Sequence, residues 1–216
     1  VLGLDEAGRG SVLGPLVIGG FLCSESDLAD LPALGARDSK QLSPTRREEV
    51  YRALARRGRR LSVTLPPETV DRAVRLGRLN DLEASAFAQL VRATNPGSVC
   101  VDACDVRAER FGARIAGLSN FSGPLDSRHH ADRDLPVVGA ASIVAKVRRD
   151  ASIARLTRKL GCSIGSGYPS DPETVAYLRT AVSTGAPIPR WVRASWATTE
   201  RVKRERPTTT LDRFLS

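Results

Sequence analysis

The chain has 216 residues, 41% apolar and 26% charged, enough for one sizeable core and ordinary for a soluble globular protein. Thirty-three Lys+Arg against 24 Asp+Glu leave a net charge of +9, an excess that favours polyanionic partners, nucleic acid first. No apolar run is long enough to cross a bilayer and none has the form of a secretory leader, so a cytoplasmic protein with no membrane partner is expected.

In chain order, "VLGLDE" and "SVLGPLVIGGFLC" read as two strands joined hairpin-fashion by Gly8-Arg9-Gly10. Ser43 and Pro44 open a helix that Gly58 is expected to end. "RRLSVTLP" reads as a strand, "PPETVDRAVRLG" as a short helix, and "LNDLEASAFAQLVRAT" as a longer amphipathic one closed by the turn Asn95-Pro96-Gly97. "SVCVDACD" is a Val-rich strand ending on acids, and "VRAERFGARIAG" is helical. "PLDSRHHADRDLP" is a polar stretch holding both histidines. "VVGAASIVAKVRRDASIARLTRKLG" is the longest helical pattern, small and apolar first, basic later. A Gly/Pro-rich loop, "GSGYPSDP", leads to a helix starting near Pro172, and the tail is basic with some helix. Early strands and later helices predict a mixed sheet covered by helices. Residues 1–160 form the expected main domain, and 161–216 a helical appendage too short for a confident separate domain.

The four cysteines are Cys23, Cys100, Cys104 and Cys162, and no second closely spaced pair or suitably spaced His completes a zinc set. They read as small hydrophobes of a reducing compartment.

Acids carry the chemical signal. Asp5 and Glu6 interrupt an apolar run, Asp102 ends the strand "SVCV", and Asp132 lies just before the longest helix. Neighbours on a strand start toward opposite faces, so Asp5 and Glu6 reach one site only where the strand ends or bends, as Gly8 and Gly10 allow. Hard Mg²⁺ or Mn²⁺ ions take oxygen ligands, and a pair of them serves phosphoryl transfer. The bland alternative is that each acid is a cap, turn or surface residue, and spacing alone leaves this open. Arg9, Lys40, Lys146 and Arg148 lie in or near the same segments and suit phosphates. Tyr168, in its Gly/Pro loop, suits either a sugar or base contact or simple packing of the loop.

Taken together and in this order, "GLDEAGRGSVLGPLV", "DSKQLS", "VDACD", "ADRDLPVVGAASIVAKVRRD" and "GSGYPSDP" resemble the motifs of the ribonuclease HII family, type 2 ribonucleases H, from near residue 3 to about residue 172. "RASWAT" is similar to the tail of archaeal-type members. The resemblance implies an RNase H-like α/β fold, a mixed five-stranded sheet flanked by helices with a C-terminal helical segment. It implies an endoribonuclease that cuts the RNA strand of RNA/DNA hybrids and the 5′ side of a ribonucleotide embedded in duplex DNA, leaving 3′-hydroxyl and 5′-phosphate ends. Two divalent ions, Mg²⁺ or Mn²⁺, would sit on Asp5, Glu6, Asp102 and Asp132. Gly8, Arg9 and Gly10 would read the 2′-hydroxyl through backbone contacts, and Tyr168 would pack on the sugar of the following deoxynucleotide. Lys40 and Lys146 match lysines near substrate phosphates, with Ser39 and Ser142 as polar neighbours.

"ADRD" offers two aspartates, and the spacing to Pro136 and the following helix matches Asp132 better than Asp134. Asp105 matches no ligand, and His129 and His130 read as loop residues. Ser11 stands where many members have proline, which would loosen the turn. The end, "TTTLDRFLS", has the look of a sliding-clamp peptide, with Thr208 or Thr209 in the usual glutamine place, Leu211 in the aliphatic place and Phe214 in one aromatic place. Leu215 replaces the second aromatic, and a C-terminal helix packed on a monomeric enzyme is the alternative. Two rivals differ in class. A non-catalytic hybrid binder would bind without metal, and a DNA nuclease of the same fold superfamily would cut all-DNA duplexes.

Overall fold

A computed structural model describes residues 1–36, 42–183 and 187–205. Five strands form one sheet in the order β3-β2-β1-β4-β5, with β1 Leu2–Ala7, β2 Leu16–Leu22, β3 Arg59–Leu65, β4 Val99–Asp102 and β5 Leu125–Arg128. β1–β2 and β2–β3 pair antiparallel, while β4 runs parallel to β1 and β5 parallel to β4. The mixed sheet expected from the sequence is therefore present. The first hairpin is looser than "SVLGPLVIGGFLC" implied: β2 begins at Leu16, because Gly14 takes a left-handed φ of +79° and Leu13 instead bridges to Val192.

Helices cover both faces. They are α1 Glu25–Leu28, α2 Pro44–Leu54, α3 Pro67–Arg75, α4 Leu79–Thr94, α5 Ala108–Ser119, α6 Ala131–Asp134, α7 Pro136–Leu160, α8 Pro172–Ser183 and α9 Ala197–Arg204. Ser43 caps α2 by accepting from the Arg46 N–H at 3.2 Å, with Pro44 in the first turn. The helix ends at Leu54, ahead of Gly58. Gly58 serves packing instead, since a Cβ there would stand 2.3 Å from the Leu22 carbonyl oxygen.

Alternation along β1 sorts its side chains. Leu2 and Leu4 face α4 and α5, in a core with Leu16, Ile18, Phe87, Leu90 and Phe111. Gly3 faces α7, whose backbone comes so near that a Cβ would lie 2.1 Å from the Val137 carbonyl oxygen. Gly19 on β2, paired with Asp5, meets α7 in the same way at Ala141. These bare positions let α7 lie directly on the sheet. A third cluster joins Val12, Leu13 and Ile153 to Ile164, Leu178, Val182, Val192 and Val202, so the segment after residue 160 shares its core with the first loop. Among the described residues no helix is long and apolar enough to cross a membrane.

Candidate metal centre and substrate turn

The site lies where β1 and β4 end. Asp5 is on the α7 face of β1, Asp102 is the last residue of β4, and Asp132 is on α6, which Leu135 joins to α7. One carboxylate oxygen from each of Asp5, Asp102 and Asp132 lies within 4.8 Å of the other two. Asp5 and Asp132 are buried and Asp102 is half-buried. Asp102 Oδ1 accepts from the Ala131 N–H at 3.1 Å, which fixes α6 against the strand end. Asp134, by contrast, is exposed.

Glu6 points to the other face. Its near charges are Asp5, Glu83, Asp102 and Arg9, and its Oε2 is buried with no hydrogen-bond partner among the described residues. The strand therefore separates the two adjacent acids, and Glu6 stands beside the three-aspartate group instead of within it.

Burial, then the Asp102 charge, pushes the Asp5 carboxyl up to about 6. A hydrogen bond with Ser142 and the Lys146 charge oppose this rise. Lys146 Nζ donates to Ser142 Oγ at 2.8 Å, so lysine, serine and aspartate form a chain. Glu6 is pushed well above the usual carboxylate range by burial and by the charges of Asp5, Glu83 and Asp102. Clustered, desolvated carboxylates repel one another, and a hard divalent cation relieves that repulsion. The donors are all oxygen, with no thiolate or imidazole among the three, which suits Mg²⁺ or Mn²⁺. These residues fit the ions that the sequence implied.

Gly8, Arg9 and Gly10 follow directly. Gly8 has φ +90°, and a Cβ there would stand 2.5 Å from Arg149 Nε, so only glycine fits. Gly10 has no heavy atom within 4 Å of its would-be Cβ, an open side from which a sugar-phosphate can approach. Ser11, expected to loosen the turn where many relatives have proline, instead closes it, its Oγ donating to the Gly8 carbonyl at 2.8 Å. The Arg9 side chain, which the sequence suggested for phosphates, turns inward. Its Nη1 donates to the Cys104 carbonyl, Nη2 to Asn80 Oδ1 at 2.7 Å, and Nε lies 3.6 Å from Glu83 Oε1.

Tyr168 is half-buried, with the Arg149 guanidinium 4.2 Å from its ring centroid. Arg149 also donates to the Ser166 carbonyl at 2.9 Å. It joins the tyrosine loop to the Gly8 turn and is buried, whereas Arg148, singled out from sequence, is exposed near the Tyr51 ring. Spacing held the signal: Ser142, Lys146 and Arg149 follow at intervals of four and three, one face of α7. Arg193 was also missed. It is fully buried, lies on Trp196, and donates to the carbonyls of Arg9 at 2.8 Å and Gly14 at 3.2 Å. Burial and the neighbouring Arg149 charge pull its guanidinium down to about 10. Both His129 ring nitrogens sit 3.3 Å from backbone carbonyls, of Ala103 and Val106, and His130 occupies a left-handed position ahead of α6. Ser39 and Lys40 lie outside the described residues, as does the C-terminal peptide with Thr208, Thr209, Leu211, Phe214 and Leu215.

A family model described as ribonuclease HII matches residues 2–199. The ribonuclease HII of Methanocella arvoryzae is 43% identical over 203 residues, 94% of this chain and 91% of that protein. Among solved structures, ribonuclease H2 of Pyrococcus horikoshii superposes with a TM-score of 0.85 at 36% identity, covering 94% of this chain and 96% of its own. A chain of the PCNA:RNase HII complex from Archaeoglobus fulgidus gives the same score and identity, covering 96% and 98%.

Proposed function

The chain belongs to the ribonuclease HII family, metal-dependent ribonucleases H acting on RNA/DNA hybrids, and from that premise we propose that it cuts both the RNA strand of a hybrid and the 5′ side of a single ribonucleotide in duplex DNA. The products are 3′-hydroxyl and 5′-phosphate ends. The observation that carries this reading is the meeting of three aspartate oxygens within 4.8 Å beside a turn whose Gly10 is open to a sugar.

Asp5, Asp102 and Asp132, with Glu6 alongside, would hold two Mg²⁺ or Mn²⁺ ions. When bound, such ions supply Lewis acidity that activates a water and offsets charge on the leaving 3′-oxygen. The chain's own residues do the rest. Ser142 and Lys146 orient the Asp5 carboxylate and balance its charge. Backbone of Gly8, Arg9 and Gly10 meets the ribose 2′-hydroxyl, the group that separates RNA from DNA. Tyr168, backed by Arg149, takes the next deoxyribose. Lys40 and Ser39 belong to the phosphate-binding side of this reading. The segment 161–216 acts as an appendage that brings the tyrosine loop to the catalytic domain. The relative from Archaeoglobus fulgidus is described in complex with PCNA, which supports a clamp-binding role for the C-terminal peptide here. We place the protein in the cytoplasm as a monomer.

The test is a labelled DNA duplex with one ribonucleotide, run beside a hybrid, an all-DNA duplex and an EDTA control. Metal-dependent cutting 5′ to the ribonucleotide with all-DNA intact is the expected result. Binding without cutting in either ion, or cutting of all-DNA, overturns it.

A further inference from the structure

Arg9 anchors the substrate turn to α4. Its guanidinium is held on three sides: by the Cys104 carbonyl two residues past Asp102, by Asn80 Oδ1, and by Glu83. Asn80 and Glu83 stand three residues apart on α4, one turn of the same face. Asn80 uses both ends of its amide, accepting from Arg9 and donating to Asp105 Oδ2 at 3.0 Å, so it cannot rotate without breaking one bond. Asp105 is held in turn by the Arg107 N–H and by Arg110. Glu83 is fully buried, and the Cys104 thiol donates to its Oε2 at 3.2 Å. Arg9 is the cation it faces at ion-pair distance, and a buried acid stripped of its cation is strongly unfavourable.

We propose that Glu83 and Asn80 are positioning residues for ribonucleotide selection: through Arg9 they set the Gly8–Gly10 turn at a fixed place against the end of β4, where Asp102 stands. The inference rests on the proposed reading of the turn as the 2′-hydroxyl contact. Neither side chain touches substrate. A turn held by its carbonyls alone, through Arg193, would still bind a duplex but would present its N–H groups off register. Near-attack alignment is sensitive to such small displacements.

The experiment compares wild type with Glu83→Gln and Asn80→Ala on a duplex containing one ribonucleotide. It reads kcat and KM, melting temperature, and Mn²⁺ affinity by calorimetry. The expected result is a ten- to hundredfold fall in kcat with KM and Mn²⁺ affinity within about twofold of wild type, and a lowered melting temperature in a variant that still folds, since each breaks a buried contact. Glu83→Gln combined with Arg9→Lys should be no worse than Arg9→Lys alone, because both act through one contact. A kcat within twofold of wild type for both variants overturns the inference. So does a matching fall in Mn²⁺ affinity, which would place Glu83 with the acid cluster. If Glu83→Gln fails to fold, Asn80→Ala decides. Failure of the underlying reading is separate: the wild-type chain would then cut no ribonucleotide substrate in either ion.

Discussion

Asp102 closes the acid group and at the same time holds the start of α6. Replacing it with Asn keeps a side-chain oxygen for the Ala131 N–H but removes the charge a divalent ion needs. Asp102→Asn should lower cutting by on the order of 10³-fold while near-ultraviolet circular dichroism stays unchanged. The two turn glycines separate a steric role from a contact role. Gly8→Ala forces a Cβ into Arg149 at a left-handed φ. It should destabilise the protein by about 1–2 kcal/mol, roughly 2–8 °C in melting temperature. Gly10→Ala should melt like wild type and still lose cutting of the embedded ribonucleotide. Equal melting losses for the two would refute the distinction. The acids were legible because a carboxylate inside an apolar run is costly without a purpose. Arg149 and Arg193 were not, because an arginine is commonplace among 33 basic residues until the fold buries it, and Glu83 was not, because one of 24 acids on an amphipathic helix reads as a surface charge.

At the scale of elements, Asp105 ties the start of α4 to the start of α5. The Arg107 N–H, then Arg110 and Asn80, hold its carboxyl at about 2, below the ordinary 3.8. A depressed carboxylate stabilises fully above its unfolded value and loses that contribution as pH falls through the folded one. Wild type should therefore lose its urea-stability advantage over Asp105→Asn between about pH 4 and pH 2, and keep it above. An advantage constant across that window would show that the ion pair and the Arg107 hydrogen bond contribute nothing. The long helices were legible from spacing and caps: α4 ends at Asn95, left-handed at φ 43°, and α7 at Gly161, φ +67°. Three short elements were not, one of them α6, a single turn inside a stretch read only as polar. β5 is four residues of "LDSR", half-buried and polar, with no alternation to read, and it exists because β4 offers an edge. α1 is a single turn capped by Ser24.

Over the whole molecule, a basic protein facing a polyanion gains affinity from released counterions. Log-log plots of hybrid binding against salt should be linear with a negative slope, and a flat plot would discount the role of the +9 charge. Besides the Arg193 clamp, the segment after residue 160 is held by a shared core and by α3. Its Leu178, Val182 and Val192 share a core with Val12 and Leu13, and Asp71 on α3 accepts from the N–H groups of Ala194 at 2.8 Å and Ser195 at 3.1 Å. Asp71→Ala should expose this segment to limited proteolysis and reduce cutting, with the sheet intact by far-ultraviolet circular dichroism. The mixed architecture was legible in outline. The dependence of the first turn on the last segment was not, because a contact between distant positions leaves no local periodicity.

That contact gives the protein a clock. The Arg9 carbonyl waits for a donor 184 positions later in the chain. On a ribosome, the acids of β1 and the glycine turn emerge well before Arg193, so the clamp that completes the turn follows it by 184 residues of synthesis. Contacts so distant in sequence also form late in folding. The finished turn is thus deferred until Arg193 has been made, and a product truncated before it carries the acids and the glycine turn without the clamp that sets them.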